Sequence, residues 1–177
     1  MESDMTEKGI KLTHLTRDGH AHMVDVGPKD VTARSATARA RVRMSHETFL
    51  RLASGETPKG DVLAAARIAG IQAAKLTPNL IPLCHSVHLT RVEVSIELTA
   101  DMAIISATAE ARDRTGVEME AMVAASTAAL TLYDMLKAID RGMSFDVFLV
   151  EKAGGRSGHW HRDGGDPAAP DVQGAAR

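Results

Sequence analysis

The stretch Arg91-Val92-Glu93-Val94-Ser95-Ile96-Glu97-Leu98 decides the fold, together with the turn Thr99-Ala100-Asp101 and the alternating Ile105, Ala107, Ala109 and Ala111 beyond it. Successive side chains of an extended chain point to opposite faces. Val92, Val94, Ile96 and Leu98 therefore share one face, and Arg91, Glu93, Ser95 and Glu97 share the other. Two such runs joined by a short polar turn form a hairpin. Each strand has one apolar face, so the sheet needs cover on one side only.

Working outward, Ala38, Ala40, Val42 and Met44 alternate with Thr37, Arg39, Arg41 and Arg43, which predicts an earlier strand. The Arg39, Arg41, Arg43 row reads as a solvated sheet face. Ser45 has the chemistry to cap a short helix through Leu52 that ends around Ser54-Gly55. Asp61 likewise opens a small-residue helix from Val62 to about Leu76, stopped by Pro78. Thr115 and Glu118 have capping-box spacing at the head of a long helix through roughly Ile139, closed by Arg141-Gly142. Phe145, Val147 and Leu149 alternate in a last strand. The order strand, helices, hairpin, helix, strand predicts an α+β fold of ferredoxin-like, split βαβ type, an antiparallel sheet with helices packed on one face. Residues 1–13 read as a flexible N-terminus, 14–162 as a single catalytic domain, and the Gly-, Ala- and Pro-rich 163–177 as a disordered tail. Within the domain, His14 to Val31 is a polar arm carrying the apolar island Met23-Val24-Asp25-Val26.

Composition narrows the function. The chain has 177 residues, 44% of them hydrophobic, enough for one good core. With 21 basic and 23 acidic residues the formal charge is -2, so no global field draws the protein onto nucleic acid or a membrane. Aromatics at 3% leave few rings for bases to stack on, and the strands around Arg39 and Arg91 carry none, which argues against an RNA-binding sheet. One cysteine excludes an internal disulfide and fits a reducing, cytoplasmic setting. The first residues lack an apolar signal segment, and no apolar run reaches bilayer-spanning length.

The chemistry-bearing residues fall into separate groups. Leu80-Ile81-Pro82-Leu83-Cys84-His85 places a thiol and an imidazole at a helix-to-strand junction, where scaffolds expose working side chains. His85 and His88 would point to opposite faces of a strand and no second cysteine is present, so no metal site is expected. Pro58-Lys59-Gly60 precedes a helix but lacks the Walker pattern, and Asp61 as cap competes for the free N–H groups; Lys59 matters more as a cation. Lys152-Ala153-Gly154-Gly155-Arg156-Ser157-Gly158 exposes backbone N–H groups between two cations, as an anion-binding loop does, or else opens the loose tail. The long helix carries Glu120, Asp134 and Lys137 within about a third of its circumference. A solvated stripe with an Asp134–Lys137 ion pair satisfies that pattern equally. Glu120 and Asp134 are separated by about 21 Å along a straight helix. If both work in one pocket, that pocket combines opposite helix ends from two chains.

From about Leu12 to Arg162, Met23-Val24-Asp25-Val26, Pro58-Lys59-Gly60-Asp61-Val62, Ala66 to Lys75, Leu80 to His85, Thr115 to Ala121, Tyr133 to Ala138 and Gly154 to Gly158, in this order, resemble the cyclic pyranopterin monophosphate synthase family, the second enzyme of molybdenum cofactor biosynthesis. Leu76 and Ser86 depart from the family pattern, where a basic residue and a proline are frequent. The resemblance implies a homo-hexamer, a trimer of dimers, with sites at dimer interfaces. It also implies a GTP-derived small-molecule substrate supplied by a radical S-adenosylmethionine GTP cyclase, no cofactor and no metal. Lys59 and Lys137 would be the proton-transfer pair, with Asp134 holding and tuning Lys137. Leu83, Cys84, His85, Met119 and Glu120 would line the pocket for the base, and Arg34 and Lys152 would hold the triphosphate. A nucleotide-sensing module on the same fold is the rival reading.

Overall fold

The computed structural model of the chain describes residues 14–16 and 18–163. The expectations for residues 1–13 and for the tail beyond Asp163 fall outside them. In chain order the elements are β1 (Thr32–Arg43), α1 (His46–Ser54), α2 (Val62–Lys75), α3 (Thr77–Leu80), β2 (Leu89–Thr99), β3 (Met102–Asp113), α4 (Glu118–Leu136), β4 (Ser144–Ala153) and β5 (Trp160–His161). The sheet runs β2-β3-β1-β4-β5 with every pairing antiparallel. This is the expected α+β plan, and the helices lie on one face of the sheet.

Alternation fixes the register. Ala38 faces Ala107 and Ala40 faces Ile105, so the small side chains of the two central strands meet on the covered face. Ala36, Ala38, Ala40, Val42, Ala103, Ile105, Ala107, Ala109 and Ala111 are all buried there. Opposite them, α4 presents Ala121, Ala124, Ala125, Ala128, Ala129, Leu132 and Leu136, also buried. Alanine on both surfaces lets the helix approach the sheet closely, and Gly70 does the same for α2 against α4. A Cβ at Gly70 would stand 2.9 Å from the Ala124 carbonyl oxygen. The hairpin turn puts Ala100 and Asp101 at φ 45° and 59°, the left-handed pair that matches strand twist.

Ser45 and Asp61 cap α1 and α2 as expected, accepting from the N–H groups of Thr48 and Ala64. Two expectations need correction. Thr115 does not cap the long helix: α4 begins at Glu118 behind Val117, with no side-chain cap, because the Glu118 carboxylate folds over Gly116 instead. α2 ends at Lys75, ahead of Pro78 as expected, and Pro78 sits in the first turn of a further short helix, α3, where a missing N–H costs nothing. The arginine row is not solvated. Arg41 is only 7% exposed, forked onto Asp146 at 2.6 and 3.1 Å and stacked over Phe148, while Arg43 reaches the other Asp146 oxygen at 2.9 Å. Trp160-His161 pairs with Glu151 and Lys152 as β5.

One irregularity positions the site. Thr37 faces Glu151 while Ala38 faces Leu149, so Val150 is an extra residue in β4. A one-residue bulge reverses the facing of everything after it. Lys152 is thereby paired with Ala36 and turned toward the helix-covered face, beside the start of α4.

Candidate active site

Two cavities adjoin the N-terminal end of α4. The larger, about 680 Å³, is walled by Arg34, Arg114, Lys152, Arg156 and the Gly154-Gly155 loop, with the arm residues Lys29 and Asp30 on the other side. Arg34 is fixed by donating from Nε and Nη2 to the carbonyls of Asp113 and Arg114, both at 3.2 Å. Gly154 and Gly155 have φ 96° and 72°, and a Cβ on Gly155 would lie 1.7 Å from Arg34 Nη1. The loop is therefore glycine because the guanidinium occupies the space. Lys152 Nζ donates to Ser157 Oγ and, at 3.0 Å, to the Gly158 carbonyl. Converging cations with exposed backbone N–H groups bind phosphates.

The smaller cavity, about 330 Å³, is lined by Leu83, Cys84, His85 and Met119 with Val24 and Val26 of the arm. His85 donates from Nε2 to the Val24 carbonyl at 2.8 Å, which pins the arm across the opening. Behind it, Cys84 Sγ donates to Glu120 Oε1 at 3.8 Å. Glu120 is 1% exposed, and its second oxygen has no hydrogen-bond partner among the described residues. Burial pushes the Glu120 carboxyl up from its ordinary value, against the opposing effect of its hydrogen bonds. Burial, reinforced by the Glu120 charge, lifts the Cys84 thiol to about 11. An unpartnered carboxyl oxygen in such a place is free to accept from an N–H donor of a ligand.

The third group lies at the other end of α4. Lys59, presented by the Thr57–Gly60 turn, donates to Asp134 Oδ2 and to the Asp134 carbonyl, each at 2.9 Å. Lys137, one turn on, reaches Asp134 Oδ1 at 2.6 Å. The hydrogen bonds from Lys137 and then Lys59 lower the Asp134 pKa to about 2.

The ten site residues predicted from sequence thus fall into two clusters. Arg34, Lys152, Leu83, Cys84, His85, Met119 and Glu120 gather at one end of α4. Lys59, Asp134 and Lys137 gather at the other, and one chain does not bring the two together. Sequence reasoning overlooked Lys29 and Arg114, and it treated Glu118 only as a cap. The Arg114-Thr115-Gly116 run between a strand end and a helix start was the available signal, since such junctions favour anions.

A model of the MoaC family matches residues 23–155. The cyclic pyranopterin monophosphate synthase of Chloroflexus aurantiacus is 54% identical over 163 residues, 89% of this chain and 99% of that protein. Those of a Roseiflexus species and of Thermomicrobium roseum are 57% and 55% identical, each over 86% of this chain and over 98% and 94% of their own lengths. This chain belongs to the MoaC family.

Proposed function

We propose that the chain is a phosphorus–oxygen lyase of molybdenum cofactor biosynthesis. It converts the cyclised dihydro-GTP intermediate to cyclic pyranopterin monophosphate and diphosphate. Family membership across residues 23–155 carries this reading. The site chemistry agrees with it. Ring opening and reclosure need proton donors and acceptors, and Lys59 and Lys137 are ammonium groups gathered on one carboxylate. Asp134 holds the pair in place. Leu83, Cys84, His85, Met119 and Glu120 receive the base, the unpartnered Glu120 oxygen meeting its N–H edge. Arg34 and Lys152 hold the triphosphate and stabilise diphosphate as it leaves.

The two clusters lie about 21 Å apart along α4, too far for one small substrate to touch both within a chain. The complete site therefore forms between two protomers, in a homo-hexamer built as a trimer of dimers. Residues 14–162 act as one catalytic domain in the cytoplasm, downstream of a radical S-adenosylmethionine GTP cyclase. No helix among the described residues is long and apolar enough to cross a membrane. Incubation with the cyclised intermediate tests the reading: pterin product and diphosphate are expected in equal amounts. Lys59→Ala or Asp134→Ala should fold and assemble yet form no product, and near-normal turnover by either refutes the roles of these two residues. Ligand returned unchanged by the unsubstituted protein would make it a sensor instead.

A further inference from the structure

The two cavities share Lys29, Thr115, Gly116 and Glu118. The phosphate-binding cations lie on one side of this waist and the pocket for the base on the other. A nucleotide spanning both cavities must pass its sugar and first phosphate between these four residues. Neither the Lys29 ammonium nor the Glu118 carboxylate has a hydrogen-bonding or ion-pair partner among the described residues.

Both are nonetheless held at their backbones. Lys29 donates its N–H to the Val26 carbonyl at 3.0 Å, and its own carbonyl accepts from Arg114 Nε at 3.0 Å. Glu118 is the first residue of α4. Its carboxylate occupies the space over Gly116, where a Cβ would stand 1.9 Å from Oε2 and 2.7 Å from Cδ. Glycine at 116 is what allows the carboxylate to face the waist. The larger cavity holds five cations, Lys29, Arg34, Arg114, Lys152 and Arg156, against Asp30 and Glu118, and a carboxylate at its waist opposes phosphate binding. At the junction with the larger cavity it gains a use where a proton must be removed next to a phosphate.

Resting on the lyase reading, we propose that Lys29 and Glu118 form the subsite of the α-phosphate, with Glu118 the general base for closure of the cyclic phosphate. Glu118 takes the proton of the ribose hydroxyl as that oxygen bonds to the α-phosphorus. The bond from the α-phosphorus to its bridging oxygen breaks, and the electron pair departs with diphosphate. Lys29 neutralises charge on the non-bridging oxygens, and the proton on Glu118 passes afterwards to solvent. Positioning plus charge stabilisation is what such a displacement demands.

The test is rapid-quench turnover of the cyclised intermediate by the assembled enzyme, with binding and diphosphate release measured separately. Glu118→Gln is expected to bind within a few-fold of the unsubstituted enzyme and to release diphosphate about 10²–10⁴-fold more slowly. Gly116→Ala leaves the carboxylate in the chain but displaces it, and a comparable loss in kcat is expected with little change in KM. Lys29→Ala should weaken binding and slow release together, with partial recovery in Lys29→Arg. Diphosphate release by Glu118→Gln at the unsubstituted rate overturns the assignment. So does full activity in Gly116→Ala. If the unsubstituted enzyme releases no diphosphate at all, the lyase reading itself fails and takes this assignment with it.

Discussion

Glu120 and Cys84 share one hydrogen bond, and their surroundings push both toward the protonated state. For Glu120 the folded pKa lies above the unfolded value, so the native state binds the extra proton. Stability is then highest below the unfolded carboxylate pKa and declines as pH rises toward the elevated folded value. Glu120→Gln removes that penalty. Its melting temperature at neutral pH should rise by about 2–4 °C per kcal/mol recovered, while affinity for the substrate collapses. A melting temperature that falls at every pH would show that the buried charge is compensated in the free protein. Cys84 gives a separate readout. A thiol near 11 holds little thiolate at neutral pH, so alkylation should run at least about a hundredfold slower than at an ordinary exposed cysteine. Fast stoichiometric labelling at pH 7 would contradict the assigned environment. Asp134 runs the opposite way. Its contribution is complete above the usual aspartate range and is lost as pH falls through about 2, and exposure to solvent keeps that contribution small.

At the scale of elements, what could be read from the chain was whatever rests on near neighbours. The β2–β3 hairpin follows from a period of two and one turn, and the caps at Ser45 and Asp61 lie three residues from the N–H groups they accept from. The arginine row misled because its solvation depends on Asp146 and Phe148, about a hundred residues away in the chain. The capping-box pattern at Thr115 failed because Glu118 turns its carboxylate to the cavity. The members of each site cluster were legible as residue types. The Cys84–Glu120 contact and the bulge that turns Lys152 were not, since one joins a loop to a helix 36 residues on and the other depends on strand register. Packing of α2 on α4 offers a test of an element-scale claim. Alanine at position 70 would gain about 1 kcal/mol of helix propensity. Against that, its Cβ would meet the Ala124 backbone oxygen and the side chains of Ala128 and Val94, at 2.9 to 3.2 Å. Backbone of a facing helix yields little, so overpacking of about 1–3 kcal/mol should dominate. Gly70→Ala should melt several degrees lower, and an equal or higher midpoint in a thermal scan would mean that the two helices have slack.

At the scale of the whole molecule, α4 holds the two cavities at one end and the lysine pair at the other. If a complete site takes one end from each of two protomers, damage to opposite ends can be segregated. Asp134→Ala alone spoils every site, and so does Glu120→Gln alone. In a dimer holding one chain of each kind, one site collects both lesions while the other is built entirely from unsubstituted halves. Random reassortment makes half of the dimers mixed, and each mixed dimer recovers one site of two. Activity should therefore return to about a quarter of the unsubstituted level when the two inactive proteins are dissociated together and reassembled. Mixing them without dissociation supplies the control and should stay inactive. A site contained within one chain gives no recovery under either protocol, because every chain then carries its own lesion.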